Sequence, residues 1–220
     1  MTAVVLIGQG EHHVRAAEIS PNPLQTMWFH PRETIRWIID TNPNRNVFVL
    51  ALASGIAAYL PQLTSIDKAS SWNWLAVPIA GSLYGLMGVF VMAPILYWVG
   101  GWVGGLSSPV ELRAVLAWSA LPTIATLIPK FLMLFGFYAW RLNSGTAAMA
   151  DSNSALQMLG SINWIAGGIA SFWVFVLQIA ATSEALGTNR IRAFFALIIA
   201  NLLFLPLYLL FIGIVDFIFA

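Results

Sequence analysis

The chain alternates five long apolar stretches with short segments that carry nearly all of its charge. The stretches run from Val47 to Leu63, Leu75 to Gly104, Ala114 to Ala139, Ile162 to Ala185 and Ala193 to Ile214. At about 1.5 Å of rise per helical residue, each is long enough to cross a hydrocarbon core of roughly 30 Å. The pattern predicts an all-α fold, a polytopic membrane helical bundle with five transmembrane helices and a short cytoplasmic interfacial helix ahead of them. Two parts follow: an N-terminal segment over 1–45 and a five-span transmembrane domain over 46–220.

Two of the spans cannot be plain cylinders. The second would be about 45 Å long if straight, so it must tilt, kink near Pro94 or Gly100-Gly101, or leave the membrane. In the third, Pro122 and Pro129 each remove a backbone donor, so carbonyls one turn back need other partners. Such broken helices serve either as packing kinks or as the walls of a transport site. Small residues at four-residue spacing, Gly81 and Gly85, Gly101 and Gly105, Gly167 and Ser171, Ala196 and Ala200, mark faces where helices approach closely. Packing within the bundle explains them; a homo-oligomer is compatible with the same spacing and not required by it.

The segment before the first span has its own periodicity. Pro31 suits a first helical position and Glu33 the positive end of a helix dipole. A helix from Pro31 to Asp40 puts Ile35, Ile38 and Ile39 on one face, with Arg32 and Arg36 flanking it and Glu33 and Asp40 opposite; Trp37 falls on the polar side. With Trp28 and Phe29 just upstream, this reads as a helix in the membrane interface, its arginines at the headgroups. The candidate interfacial or partner-binding residues are therefore Trp28, Arg32, Ile35, Arg36 and Ile39. Asn42-Pro43-Asn44 breaks the helix before the first span.

Composition agrees with the spans: 59% of residues are hydrophobic and 9% charged, and the mean hydropathy is +0.80, far from a soluble balance. A net charge of +1 without clustered Lys and Arg gives no nucleic-acid signature. The absence of cysteine excludes disulfides and thiolate-held zinc. The apolar run Ala3 to Ile7 has no basic residue before it, so the start does not read as a cleavable signal peptide.

Basic residues orient the bundle. With five spans, the N-terminal segment shares a side with the second and fourth loops, gathering Arg15, Arg32, Arg36, Arg45, Arg113, Arg190 and Arg192, while the other side holds Lys68 and Arg141. The N-terminus is expected in the cytoplasm and the C-terminus outside it.

Motifs for chemistry are missing. No His-Glu-x-x-His, Gly-x-Ser-x-Gly or P-loop occurs, and no acidic pair falls within neighbouring spans. His12-His13 beside Glu11 is a weak metal-binding pattern in a polar tail. The chain reads as a non-enzyme without catalytic residues, metal or cofactor. Candidate sites are instead the polar residues in or at the ends of spans: Lys130, Gln178, Glu184, Asn201 and Asp216. Glu184 has Arg190 and Arg192 in the adjacent loop as partners, Lys130 is expected to snorkel or approach Asp216, and the amides of Gln178 and Asn201 need interhelical partners.

Asn22-Pro23-Leu24 through Trp28, Pro31-Arg32-Glu33-Thr34-Ile35-Arg36 and Asp40-Thr41-Asn42-Pro43 together resemble the N-terminal signature of bacterial members of the Yip family. Ala117-Trp118-Ser119 with Pro122, then Trp164, Glu184 and Arg192-Ala193, extend the resemblance along the chain. It implies five spans with this orientation. Eukaryotic members associate with Rab-type GTPases, but their Asp-Leu-Tyr-Gly-Pro hallmark is absent, so the resemblance carries no GTPase to this chain. The leading reading of the chain is a Yip-like, non-catalytic protein of the bacterial inner membrane that organises membrane or partner proteins through its cytoplasmic N-terminal segment and short basic loops. Expected partners are the lipid bilayer and a protein at the cytoplasmic face. The alternative is a small transporter or channel for an ion or small solute, built on the broken third span and lined by Lys130, Gln178 or Asn201.

Overall fold

The structure is a computed structural model that describes residues 22–60, 73–144 and 154–219, without the side chains of 73–77, 137–144, 154–156, 216, 218 and 219. Among the described residues the chain is all helix. After a single turn, α1 (Pro23–Thr26), come α2 (Pro31–Thr41), α3 (Val47–Tyr59), α4 (Asn73–Phe90), α5 (Met92–Trp102), α6 (Pro109–Ser119), α7 (Leu121–Ala125), α8 (Leu127–Ser144), α9 (Ser154–Ala185) and α10 (Arg190–Phe219).

Four stretches are long and apolar enough to cross a membrane: Pro78–Trp102, Pro109–Gly136, Gln157–Ala185 and Arg190–Val215. The first expected span is shorter than the sequence suggests. Its described helix, α3, has 13 residues, about 20 Å, and residues 61–63 of the expected span lie outside the described residues. His12, His13, Arg15 and Lys68 lie outside the described residues, and so do the side chains of Arg141 and Asp216.

Proline places the irregularities. Pro94 has no N–H to offer the carbonyl of Phe90, and the second span turns at Val91, between α4 and α5. Pro122 and Pro129 fall in the first turns of α7 and α8, dividing the third span at Ala120 and Thr126. Thr126 closes its break by donating its hydroxyl to the carbonyl of Thr123 at 2.6 Å. Two helix ends are closed by recognisable caps. Ser108 and Glu111 form a reciprocal capping box at the start of α6, and Gly187, at φ +63°, ends α9 in the left-handed conformation that glycine tolerates.

Packing is uneven along the bundle axis. One continuous core joins Met27, Ile35 and Ile38 to α3, α5, α6, the last turns of α9 and the first half of α10. We call this the proximal end. On α9, Leu177, Ala180, Ala181, Thr182, Ser183 and Ala185 are buried, whereas from Gln157 to Val176 only Ala170 is. The helix is buried at one end and mostly exposed along the rest, where Asn163 and Gly160 still meet Met133 of α8. At the distal end, Leu60 and Leu134 form a small cluster of their own.

The closest approach is between α3 and α4. A Cβ built on Gly85 would lie 1.9 Å from the carbonyl oxygen of Ala51, and one on Gly55 would lie 2.0 Å from that of Gly81. The Gly81/Gly85 face anticipated from spacing is thus met by Ala51 and Gly55, a pair at the same four-residue spacing that was not singled out in the sequence. Gly101 has open space where its Cβ would be and does not serve a helix contact; Ala196 and Ala200 are buried in the core.

Candidate functional site

Two places on the bundle concentrate polar side chains. The first is the proximal end, where α2 docks. Thr34, Ile35 and Ile38 are buried, so the apolar face of α2 packs on protein, against α6 and α9. Trp28 and Ile39 are half-buried against the same core, and so is Trp37. The apolar stripe was read as lipid-facing and Trp37 as polar-side; both readings are corrected, because helical period identifies a buried face without saying whether lipid or another helix buries it.

Charge fixes α2 in place. Arg32 Nε donates to Glu184 Oε2 at 2.9 Å with its Nη2 at 2.8 Å, and Arg36 Nη2 pairs with Glu184 Oε1. The Glu184 side chain is 8% exposed while both arginines keep one side in water. Burial strengthens the attraction on the carboxylate side, and solvent screens it on the other. Sequence proximity pointed to Arg190 and Arg192 as the partners of Glu184; the carboxylate instead bonds to α2, across the bundle from its own loop.

The turn after α2 is anchored by a buried indole. Trp118, fully buried on α6, donates Nε1–H to the carbonyl of Arg45 at 3.1 Å, and the Arg45 guanidinium lies 5.3 Å from the Trp37 ring centroid. Asn46 follows at φ +56°, a conformation that asparagine tolerates better than most residues. The backbone N–H of Leu106 donates to Leu186 O at 3.1 Å, which brings the second and fourth loops together at this same end. Phe29 is 81% exposed here and Leu106 is 91% exposed.

The second place is a cavity of about 840 Å³ in the distal half, within the roughly 300–1,000 Å³ typical of ligand sites. Lys130, Gln178 and Asn201 all line it, as do Thr126 and Asn163. Val89, Met92 and Leu116, members of the core, line its proximal part. Along α9 the lining runs from Gln178 to Gly160, about 27 Å of helix. Exposed residues of α9, Trp164, Gly168 and Ser171, form one wall, so the cavity is open at the side of the bundle.

Most polar groups in the wall are satisfied by backbone. Asn201 Nδ2 donates to Leu197 O at 2.8 Å, Ser171 to Gly167 O at 2.8 Å and Ser54 to Ala51 O at 3.0 Å. Lys130 turns inward, donating Nζ–H to Ala57 O at 2.6 Å. The expectation of snorkelling gives way to a helix cap: an N–H four residues after Ala57 would belong to Pro61, which has none, and a cation suits the negative end of α3. Lys130 and Glu184 do not meet. Asn163 was not singled out in the sequence, although a lone amide in an apolar stretch is a visible signal; its Nδ2 lies 3.4 Å from Met133 Sδ and its buried Oδ1 has no partner. No group of three His, Cys, Asp or Glu side chains is arranged for a metal among the described residues.

Four membrane-length apolar helices and an all-α bundle define an integral membrane protein of the polytopic helical class. A family model described as the Yip1 domain matches residues 25–214, and the chain belongs to that family. The match includes α2 and continues through the four long helices. Neither the curated proteins nor the solved structures contain a match to this chain.

Proposed function

We propose that this Yip1-domain protein is a non-catalytic organiser of membrane or partner proteins, acting from its proximal end. The single observation that carries the reading is the double arginine clamp on Glu184, which fixes α2 as a rigid surface feature. A freely moving tail would need no such clamp. The outward side of α2 offers Arg32, Glu33, Arg36 and Asp40 to a partner, and Phe29 and Leu106 extend the same end with exposed apolar groups. In this reading α2 lies at the level of the membrane interface, the proximal end faces the cytoplasm of a bacterial inner membrane, and α3 completes a five-span topology. The absence of catalytic motifs from the sequence supports the non-enzymatic assignment.

The test is site-specific photocrosslinking in native membranes from Phe29, Glu33 and Asp40, compared with Ile128 at the distal end. Discrete adducts from the α2 positions, lost when Arg32 and Arg36 are both replaced by Ala, are expected. Identical labelling from every position would remove the proposal.

One observation favours a second reading, passage of a small solute: the cavity is lined by Lys130, Gln178 and Asn201 together. Its proximal part is closed by the core, so conduction requires Val89, Met92 and Leu116 to part. A flux in proteoliposomes that disappears on bulky replacement of Gly88, which also lines the cavity, would establish this reading over the first.

A further inference from the structure

The distal cavity combines three features that the organising role does not use. First, it holds a cation whose charge is uncompensated by any acid among its lining residues. Lys130 has three donors and gives one to Ala57 O, and the residue lines the cavity. A carbonyl partner satisfies one hydrogen bond without neutralising the charge, and an ammonium at bilayer depth is costly until an anion or water reaches it.

Second, the wall opposite is a furrow. Gly160, Trp164, Gly167, Gly168 and Ser171 recur at intervals of three, four and seven, one face of α9. A Cβ on Gly167 or Gly168 would meet nothing within 4 Å. Glycine normally lets helices touch, yet beside Gly167 and Gly168 no described residue takes up the space, and Gly160 would meet only Met133 Cε, at 3.9 Å. Exposed residues of α9, Trp164, Gly168 and Ser171, line this part of the cavity, so what enters the furrow comes from the surrounding bilayer.

Third, Lys130 caps the last turn of α3, whose 13 residues make it shorter than the four membrane-length stretches. At about 20 Å, α3 falls roughly 10 Å short of a hydrocarbon core. A short helix thins the bilayer around it, which brings the headgroup layer towards its C-terminal carbonyls. The cation, the side opening and the shortened helix meet at one level of the distal half.

We propose that this cavity binds one anionic phospholipid, its phosphate on the Lys130 ammonium and an acyl chain along the glycine furrow of α9. Asn163 is placed to accept from a headgroup hydroxyl: it reaches Met133, one helical turn from Lys130, and its Oδ1 lacks a donor. A phosphoglycerol headgroup supplies both the anion and the hydroxyl. The site is independent of the α2 platform. A failure of one leaves the other unaffected, because the two have different readouts.

The test uses the full chain in detergent, titrated with dioleoyl-phosphatidylglycerol, dioleoyl-phosphatidylcholine or oleate, and reads both thermal unfolding and lipid retained in native mass spectrometry. Binding to the folded state raises Tm with ligand concentration, and only phosphatidylglycerol should do so. Lys130→Met and, separately, Gly168→Leu should each weaken binding about tenfold or more, as loss of a charge-assisted contact or of the acyl space demands. Gly168→Leu enters open space and keeps the fold, so it decides the matter if Lys130→Met does not fold. Equal responses to phosphatidylglycerol and phosphatidylcholine, a preference for oleate, or wild-type affinity in Gly168→Leu would each overturn the proposal. So would a wild type that fails to bind phosphatidylglycerol while Asp216→Asn binds it, since Lys130 would then already be paired with that carboxylate.

Discussion

Arg32 and Glu184 are separated by 152 residues of chain, yet the Arg32 Nε–H reaches Glu184 Oε2 at 2.9 Å. With Arg36 on the other carboxylate oxygen, one buried acid holds the helix that precedes the bundle to the last turn of the longest helix within it. The arrangement is lopsided, because the acid is nearly enclosed and both arginines reach water.

That asymmetry sets the first expected outcome. Replacing Glu184 by Gln leaves two cations that can turn into solvent, and should lower stability by about 1 kcal/mol or less. Replacing Arg32 and Arg36 together by Ala strands a buried carboxylate, at a cost of roughly 2–3 kcal/mol once the exposure of the arginines is discounted. Thermal unfolding in detergent measures both. Equal losses, or a larger loss from Glu184→Gln, would show that the carboxylate is not buried as described.

The α3/α4 contact leads to a second. Gly85→Ala drives a Cβ to within 1.9 Å of Ala51 O, a backbone atom that cannot move alone. The helices must separate, costing about 2–3 kcal/mol by analogy with overpacked cores. Gly88→Ala meets nothing within 4 Å and should be neutral or stabilising by about 0.5–1 kcal/mol through backbone entropy. If the two alanine variants unfold at the same temperature, the backbones do not touch.

Which of these features the sequence disclosed follows from what local pattern encodes. Apolar length gave the four long helices, and the missing proline donors placed the breaks at Val91, Ala120 and Thr126 near where they occur. Period identified Ile35 and Ile38 as a buried face. It did not identify the burying surface, and an amphipathic stripe of this kind looks the same against lipid and against α6. Partners were harder still. Arg190 and Arg192 are close to Glu184 along the chain, while Arg32 and Arg36 are close only after folding, and nothing local distinguishes the two pairs. Gly55 had a spacing signal in Ala51, four residues earlier, but nothing local says that Gly81 and Gly85 are what this face meets. The link from Lys130 to Ala57 was partly legible: Pro61 announces an unpaired carbonyl one turn earlier, but not which donor will find it.

That link supplies a third prediction. Lys130→Met leaves Ala57 O without its donor, at about 1–2 kcal/mol, offset in part because no charge then needs solvating near lipid. If Pro61 is the reason the carbonyl is free, Pro61→Ala restores an N–H in sequence. The double variant should then be more stable than Lys130→Met alone, by about 0.5–1 kcal/mol of coupling. Strict additivity in the double-mutant cycle would mean that Lys130 does not act as the cap of α3.

Orientation can be checked with single cysteines, since the chain has none of its own. The choice of position matters. Ser108 stands in the second loop, but its hydroxyl caps α6 by accepting from Glu111 N–H at 3.3 Å, so a cysteine there risks a loss of about 1 kcal/mol. Leu106, two residues earlier and 91% exposed, tests the same loop without touching the cap. In the proposed orientation, which rests on the positive-inside bias, the arginine-bearing proximal end faces the cytoplasm. Cysteine at Leu106 should therefore resist a membrane-impermeant thiol reagent added to intact cells, and react once the membrane is opened. Cysteines at Ser65 and Ser152, which fall in the first and third loops of a five-span chain, should react from outside. Labelling at Leu106 with Ser65 and Ser152 protected would invert the topology, and labelling of Ser65 and Leu106 from the same side would show that α4 and α5 do not cross the bilayer as one span.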